Sequence, residues 1–349
     1  MNGTDQSPVR SPPGALSFVN VTFPGELPLL RLQARSMAHF LPRDLVGEVL
    51  NIVNAVDEKS ALSDLEATRA EYGPHADRVR NITGSELFSA ARGPSAARHW
   101  PRKMLAENPW IYFRRRAGWR GNDGWQMQQA MKLAAARLVS SDIYVILDSK
   151  NVFVAPISYA DFVAEDGKPR ARLDHGPADH AARWLRASLK ALGLDEALTT
   201  RRPLIDILTP SGMKTRVVIE LLASLEARHG SVQNVFAMPW NRATEFMLVS
   251  AWCLNAPGGV PDHFAGGLMD PHNLNYRHGE DFRMRRAQEA TEAGAKLVTP
   301  HRAVLTSLSD DLRERLTAIF ADRGLIGGAT EMQALIDEIR LRNPGLPRQ

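Results

Sequence analysis

Gly124-Trp-Gln-Met-Gln-Gln-Ala-Met-Lys-Leu-Ala-Ala-Ala-Arg137, followed by Ile143-Tyr-Val-Ile-Leu147 and then Asp148-Ser-Lys-Asn151, is the stretch whose reading decides the fold. Met127, Met131, Ala134 and Leu138 recur at helical spacing, which predicts a helix over 125–139 with that face on a core. Gln128 and Lys132 share another face, one turn apart. The five apolar residues Ile143 to Leu147 are too few for a second helix and fit a strand buried on both sides of a mainly parallel sheet. Open α/β sheets bind ligands just beyond the carboxyl ends of their strands. A carboxylate, a hydroxyl, an ammonium and an amide in succession therefore stand where a ligand is met.

Outward from this stretch the same alternation repeats. Leu16-Ser-Phe-Val-Asn-Val-Thr-Phe23 has strand composition and ends at Pro24-Gly25. A helix follows, with Leu29, Leu30, Gln33, Met37 and Phe40 in register and its end before Pro42. Val49 to Val56 reads as the next strand, ending in acid at Asp57-Glu58, and Val79 to Ile82 as a third. Strand, helix, strand is the opening of a parallel sheet built by right-handed crossovers. The fold class expected is α/β, a Rossmann-like mainly parallel sheet flanked by helices in one large domain. Thr22, Asp57 and Asp148 fall at its strand ends.

Further along, Leu204 to Leu208 is strand-like and Thr209-Pro-Ser-Gly212 a turn; 214–229 is a helix that stops at Gly230. Val232 to Met238 reads as a strand. Ala243 to Leu254 reads as a buried helix with one charge, Glu245, in its first turn, a place that the helix dipole favours for an acid. Residues 255–281 form a loop rich in Gly, His and Asp whose spacings match no compact metal motif. Leu297 to Arg302 is a short strand ending in His301-Arg302, and helices over 308–323 and 329–342 complete the chain. Residues 1–14 read as a disordered leader, 15–325 as the domain, and 326–349 as a C-terminal helix and tail.

With 349 residues, 44% of them hydrophobic and 23% charged, the composition is that of a soluble globular protein. The single cysteine, Cys253, excludes an intrachain disulfide framework, and the N-terminus lacks the pattern of a secretory signal; both favour the cytoplasm. The longest apolar run, Phe246 to Leu254, is about half the ~20 residues a bilayer requires. A formal charge of +4 hides eight lysines against 35 arginines, and arginine is suited to bidentate phosphate contacts. In 92–125, Arg92, Arg98, Arg102 and Arg114 to Arg116 alternate with Trp100, Trp110, Tyr112, Phe113 and Trp119. That pattern suits a single-stranded nucleic-acid groove, a flap over a sugar diphosphate, or a loop anchored by tryptophans. Net charge alone argues against nucleic acid. No Walker loop, Gly-x-Ser-x-Gly elbow or Gly-x-Gly-x-x-Gly turn is present.

Five pieces together carry a resemblance: Val21-Thr-Phe-Pro24; Gly124-Trp-x-x-Gln-Gln-x-x-Lys-Leu133; Ile146-Leu-Asp-Ser-Lys-Asn151; Trp240 with Thr244-Glu-Phe246; and Pro300-His-Arg302. From about Leu16 to Leu325 the chain resembles a bacterial glycosyltransferase-like family of uncharacterised function, of the GT-A type. The resemblance implies transfer of a sugar from a nucleotide-diphospho-sugar to a hydroxyl acceptor, a glycan or other compound, as in surface polysaccharide synthesis. It puts Asp148 at the first position of the Asp-x-Asp turn, facing the ribose or a divalent metal (Mn or Mg), with His301 approaching the metal or diphosphate. Glu245 becomes the candidate general base, and Thr22, Asp57, Gln128, Gln129, Lys132, Asn151 and Arg302 the candidate donor-binding set. Lys150 stands where the second aspartate belongs. A cation there repels a metal and itself neutralises a leaving diphosphate, so weaker metal dependence is expected. The competing expectations are a nucleic-acid-binding protein working through 92–125 and an inactive GT-A-like binding protein.

Overall fold

The computed structural model describes residues 14–91, 116–176, 179–237, 242–292 and 294–346. The expected leader lies almost wholly outside the described residues, as do most of the arginine and aromatic segment and Trp240.

The chain opens with β1 (Leu16–Thr22), α1 (Leu27–Phe40), β2 (Val46–Val53), α2 (Glu58–Glu66), β3 (Val79–Thr83) and α3 (Gly84–Ala90). Next come α4 (Gly124–Ala134), β4 (Ile143–Leu147), β5 (Val152–Phe153), β6 (Leu173–Asp174), α5 (Asp179–Leu192), β7 (Leu204–Ile205) and β8 (Ser211–Lys214). The remainder is α6 (Thr215–His229), α7 (Val232–Ala237), α8 (Glu245–Leu254), β9 (Asn273–Leu274), α9 (Glu280–Glu289), β10 (Leu297–Pro300), α10 (Arg302–Leu305), α11 (Asp310–Ala321) and α12 (Ala329–Arg342).

Every residue of β1 and of β4 is buried, as runs covered on both faces must be. The central sheet has the order β3-β2-β1-β4-β8, with β1 pairing in parallel to β2 and β4, β2 in parallel to β3, and β8 antiparallel to β4. Alternation sorts the two faces. Val19, Val21, Leu50, Ile52, Tyr144 and Ile146 pack with α4, α6 and α8. Phe18, Val49, Val145 and Leu147 pack with Ala34 and Met37 of α1 and with Phe153 and Phe162. The C-terminal helices bring Leu316, Phe320, Met332 and Ile336 against Leu29 and Leu32 of α1 and Val298 of β10. The expected α/β class is the one found.

A row of buried asparagines runs through this apolar sheet. Asn20, Asn51 and Asn81 stand opposite one another across β1, β2 and β3. Asn20 Nδ2 donates to Asn51 Oδ1 at 3.1 Å, Asn51 Nδ2 to Asn81 Oδ1 at 2.9 Å, and the Tyr72 hydroxyl to Asn51 Oδ1 at 3.1 Å. A slip of one residue would separate all these groups, so the row pins the register.

Four sequence expectations are corrected. The second strand ends at Val53; Val56 is 61% exposed, and Asp57 caps α2 by accepting the Ser60 N–H at 3.1 Å. Ser211 to Lys214 is an edge strand rather than part of a turn. Gly212 lets it approach Arg170, whose carbonyl accepts the Gly212 N–H at 3.0 Å and would lie 2.8 Å from a Cβ there. Val232 to Ala237 is a helix buried all round, opened by Ser231 Oγ accepting the Asn234 N–H. A short apolar run like this one has the same pattern as a buried strand. Finally, α9 occupies the end of the expected loop; Glu280 and Asp281 at its start and Arg286 in its last turn complement its dipole.

Candidate active site

Thr22 at the end of β1, Asp148 after β4 and His301 after β10 open onto one cavity of about 960 Å³ at the carboxyl edge of the sheet. Asp123 starts α4 by accepting the backbone N–H groups of Trp125 and Gln126. Asn54, just past β2, fixes the preceding turn, accepting from Trp119 N at 2.7 Å and donating to Gly124 O at 2.8 Å. These two anchors aim Gln128, Gln129 and Lys132 at the strand ends, where all three line the cavity. Thr244 caps α8 and places Glu245 at its first turn, also on the cavity wall.

The centre is a chain of alternating charge. Lys132 Nζ lies 2.9 Å from Asp148 Oδ1 and 3.2 Å from Glu245 Oε1; Lys150 Nζ lies 3.2 Å from Asp148 Oδ2. The side chains of Lys132 and Glu245 are 4% and 3% exposed, those of Asp148 and Lys150 22% and 21%, so the chain runs from the core to the cavity. Gln129 steadies the inner end, donating to Trp125 O at 3.1 Å and accepting the Glu245 N–H at 3.4 Å.

Burial alone would raise the Asp148 carboxyl, but Lys132 and Lys150 outweigh it and hold the group below the usual carboxylate range. Burial would likewise lower the Lys132 ammonium, yet Asp148 and Glu245 keep it well above its ordinary value. At Glu245 burial prevails over Lys132, and its pKa is raised. Burial, with the charges of Lys150 and Arg302, pushes the His301 imidazole down to about 3, so it is neutral at pH 7.

Asn151 is buried beneath the turn rather than on the cavity wall. Its Oδ1 accepts the Asp148 N–H at 2.8 Å, and its Nδ2 donates to Thr209 O at 3.2 Å and Thr299 Oγ1 at 3.0 Å. Gln33 holds the same turn through the Asp148 carbonyl at 2.7 Å. Thr22 Oγ1 accepts from Ser149 at 2.9 Å. Arg302 donates to Glu26 at 2.6 Å, with its guanidinium 4.8 Å from the Phe23 ring centre.

Of the sequence candidates, the cavity thus gathers Thr22, Gln128, Gln129, Lys132 and Asp148. Lys150, Glu245, His301 and Arg302 complete it. Asp57 and Asn151 are not among its lining residues. Tyr276 and Arg277, from the segment read as a polar loop, and Arg283, from α9 just beyond it, also enter the wall, and nothing in their spacing marks a site. Trp125 is 48% exposed on the cavity wall, its ring centre 6.3 Å from that of Trp184.

The donor set does not suit a divalent metal at Asp148. Both of its carboxylate oxygens are engaged by ammonium groups, and His301 Nδ1 accepts the Ala303 N–H at 3.1 Å. Ammonium groups on both oxygens compete with Mg²⁺ or Mn²⁺ for the carboxylate and repel the ion. Among the described residues no three His, Cys, Asp or Glu side chains gather in metal-binding range.

A family model described as a family of unknown function (DUF6492) matches residues 97–257. The sequence matches no curated protein. Among solved structures the chain is similar to an active-site mutant of LgtC, at 10% identity and a TM-score of 0.46 over 92% of this chain and 100% of that one. It is also similar to the apo structure of the bifunctional glycosyltransferase WbbM, at 10% identity and 0.44, covering 98% of this chain and 53% of that one. A third, mouse xyloside xylosyltransferase 1 in its apo form, aligns at 10% identity and 0.39 over 83% of this chain and 98% of that one. At these scores the functional reading rests on the cavity's own geometry. No helix among the described residues is long and apolar enough to cross a membrane.

Proposed function

We propose that this protein is a glycosyltransferase that binds a nucleotide-diphospho-sugar at the carboxyl edge of its sheet and transfers the sugar to a hydroxyl acceptor. The observation that carries the reading is the Glu245–Lys132–Asp148–Lys150 chain, which ends in a cation on the cavity wall. Asp148 and Glu245 hold Lys132 in place, and Asp148 orients Lys150. The outer ammonium and Arg302 then neutralise charge as it develops on the departing diphosphate, work that a metal performs at many phosphate sites.

In the step itself, the acceptor oxygen forms a bond to the anomeric carbon while the bond from that carbon to the diphosphate oxygen breaks. The electron pair leaves with the nucleoside diphosphate, and the acceptor proton passes to Glu245. Burial raises the proton affinity of that carboxylate, which suits a general base. The neutral His301 offers a hydrogen-bonding ring without competing for the charge.

A thermal-shift screen with UDP, GDP, CDP and ADP in EDTA tests the reading. One of them is expected to raise the melting temperature, and Asp148→Ala to remove the rise. Unchanged melting curves with all four would overturn it.

A further inference from the structure

A second cavity of about 540 Å³ adjoins the first, sharing the wall formed by Leu208, Asn273, Asn275 and Arg277. Helix α9 stands between them, turning Arg283 toward the first cavity and Arg285 and Arg286 toward the second. Arg172, Arg277, Arg285 and Arg286 outnumber Asp270 and Glu289 in this second lining.

These arginines are unequally compensated. Arg286 is gripped by both Asp270 and Glu289 and is already satisfied. Arg172 has, among the described residues, only long ion-pair contacts, 3.4 Å to Asp206 and 3.8 Å to Asp270. Arg285 is 65% exposed, 3.9 Å from Glu289 and 5.1 Å from the Phe282 ring centre. Arg277, on the shared wall, has its Nε 3.4 Å from the Tyr276 hydroxyl and no ion pair among the described residues. Positive charge in excess of its counterions, in a concave site with room for a sugar, recognises an anion. The four shared residues set the second cavity directly beside the first, so an occupant of one is a neighbour of an occupant of the other.

We infer that the second cavity is the acceptor subsite, and that the acceptor is a hydroxyl compound carrying a phosphate or carboxylate group, held by Arg277 and Arg285. The assignment of the occupant as acceptor rests on the glycosyltransferase reading; the anion site itself does not.

Calorimetric titration of the full chain with glucose 6-phosphate, glucuronate and glucose, with and without saturating nucleoside diphosphate, tests the inference. The phosphorylated or the carboxylated sugar, or both, is expected to bind at least ten-fold tighter than glucose, and the better of the two reveals which anion is preferred. Arg285→Ala is expected to weaken that binding about ten-fold and Arg285→Lys to restore most of it, while the thermal shift caused by the nucleoside diphosphate stays unchanged in both. Equal affinity for glucose, no binding of any of the three, insensitivity to Arg285→Ala, or displacement of the charged sugar by nucleoside diphosphate would each overturn it. Arg285-dependent anion binding in a protein that binds no nucleoside diphosphate would leave the anion site standing and overturn the donor reading alone.

Discussion

Lys132 is the residue on which the interior of the site depends. Its ammonium sits between two carboxylates and over the Phe246 ring, 5.9 Å from the ring centre. Removing it leaves Glu245 buried without a counter-ion, and breaking a buried pair from one side costs about 3–5 kcal/mol. Lys132→Met is expected to lose that much in urea unfolding. Glu245→Gln keeps the Lys132–Asp148 contact and is expected to cost less, while lowering transfer about 10²-fold or more if the carboxylate takes the acceptor proton. The opposite order of stability losses would contradict the arrangement.

His301 gives a signed pH dependence. Its pKa is lowered to about 3 in the folded chain, below the ~6.5 of a free imidazole. A group depressed on folding contributes stability that is present above the unfolded value and lost as pH falls toward the folded one. The unfolded chain therefore takes up a proton between about pH 6.5 and 3 that the folded chain refuses. That makes stability fall by up to about 1.4 kcal/mol per pH unit across the window. His301→Asn is expected to flatten the curve of unfolding free energy between pH 6 and 4; an unaltered slope would show that the ring is protonated in the fold. Neither this neutral imidazole nor the two-sided hold on Lys132 was visible in the sequence. Glu245 reaches Lys132 from far along the chain, and the burial and the Lys150 charge that act on His301 arise only in three dimensions.

At the scale of elements, the asparagine row is the feature most open to test. Asn51 alone joins Asn20, Asn81 and Tyr72, so Asn51→Ala leaves three buried polar groups each short of a partner. A stranded buried group costs about 1–3 kcal/mol. The loss expected in urea unfolding is at the upper end of that range, whereas Asp123→Ala, which removes the cap of α4 and a partly exposed ion pair with Arg116, should cost about 1 kcal/mol. A loss at Asn51 no larger than that of the cap would show that water or a repacked neighbour satisfies the row.

The same scale shows what periodicity can reveal. β1, β4, α4 and α6 were legible because each buries a long apolar run or a repeating face, and Gly230 has the left-handed backbone, φ 83°, that stops α6. α7 was misread because six residues buried on every side show neither period clearly. α9 was missed because, apart from Ala287, its residues are polar or only partly covered. β8 was hidden by the turn chemistry of Pro210 and Gly212, a glycine that serves close packing against Arg170 instead.

For the molecule as a whole, the ends of β1 and β4 at one edge were legible in the apolar runs before Thr22 and Asp148, while the resemblance supplied the helix and loop candidates; nine of the eleven candidate residues line one cavity. The remaining two, Asp57 and Asn151, are outside that lining for local reasons: β2 ends before Asp57, which caps α2, and Asn151 accepts the Asp148 N–H within the turn. The second cavity, formed where α9 meets β9 and the 204–208 segment, could not be read from a sequence that gives no sign of which loops meet.

In the proposed reaction Lys150 does what a metal does at other phosphate sites. Binding of the best nucleoside diphosphate should be titrated calorimetrically in EDTA and again with Mn²⁺, for the native chain, Lys150→Ala and Lys150→Asp. The expected result is native affinity that Mn²⁺ leaves unchanged, a loss of about ten-fold or more in Lys150→Ala, and a Mn²⁺ requirement that appears only in Lys150→Asp. Native binding that vanishes in EDTA and returns with Mn²⁺, or that persists undiminished in Lys150→Ala, would contradict it.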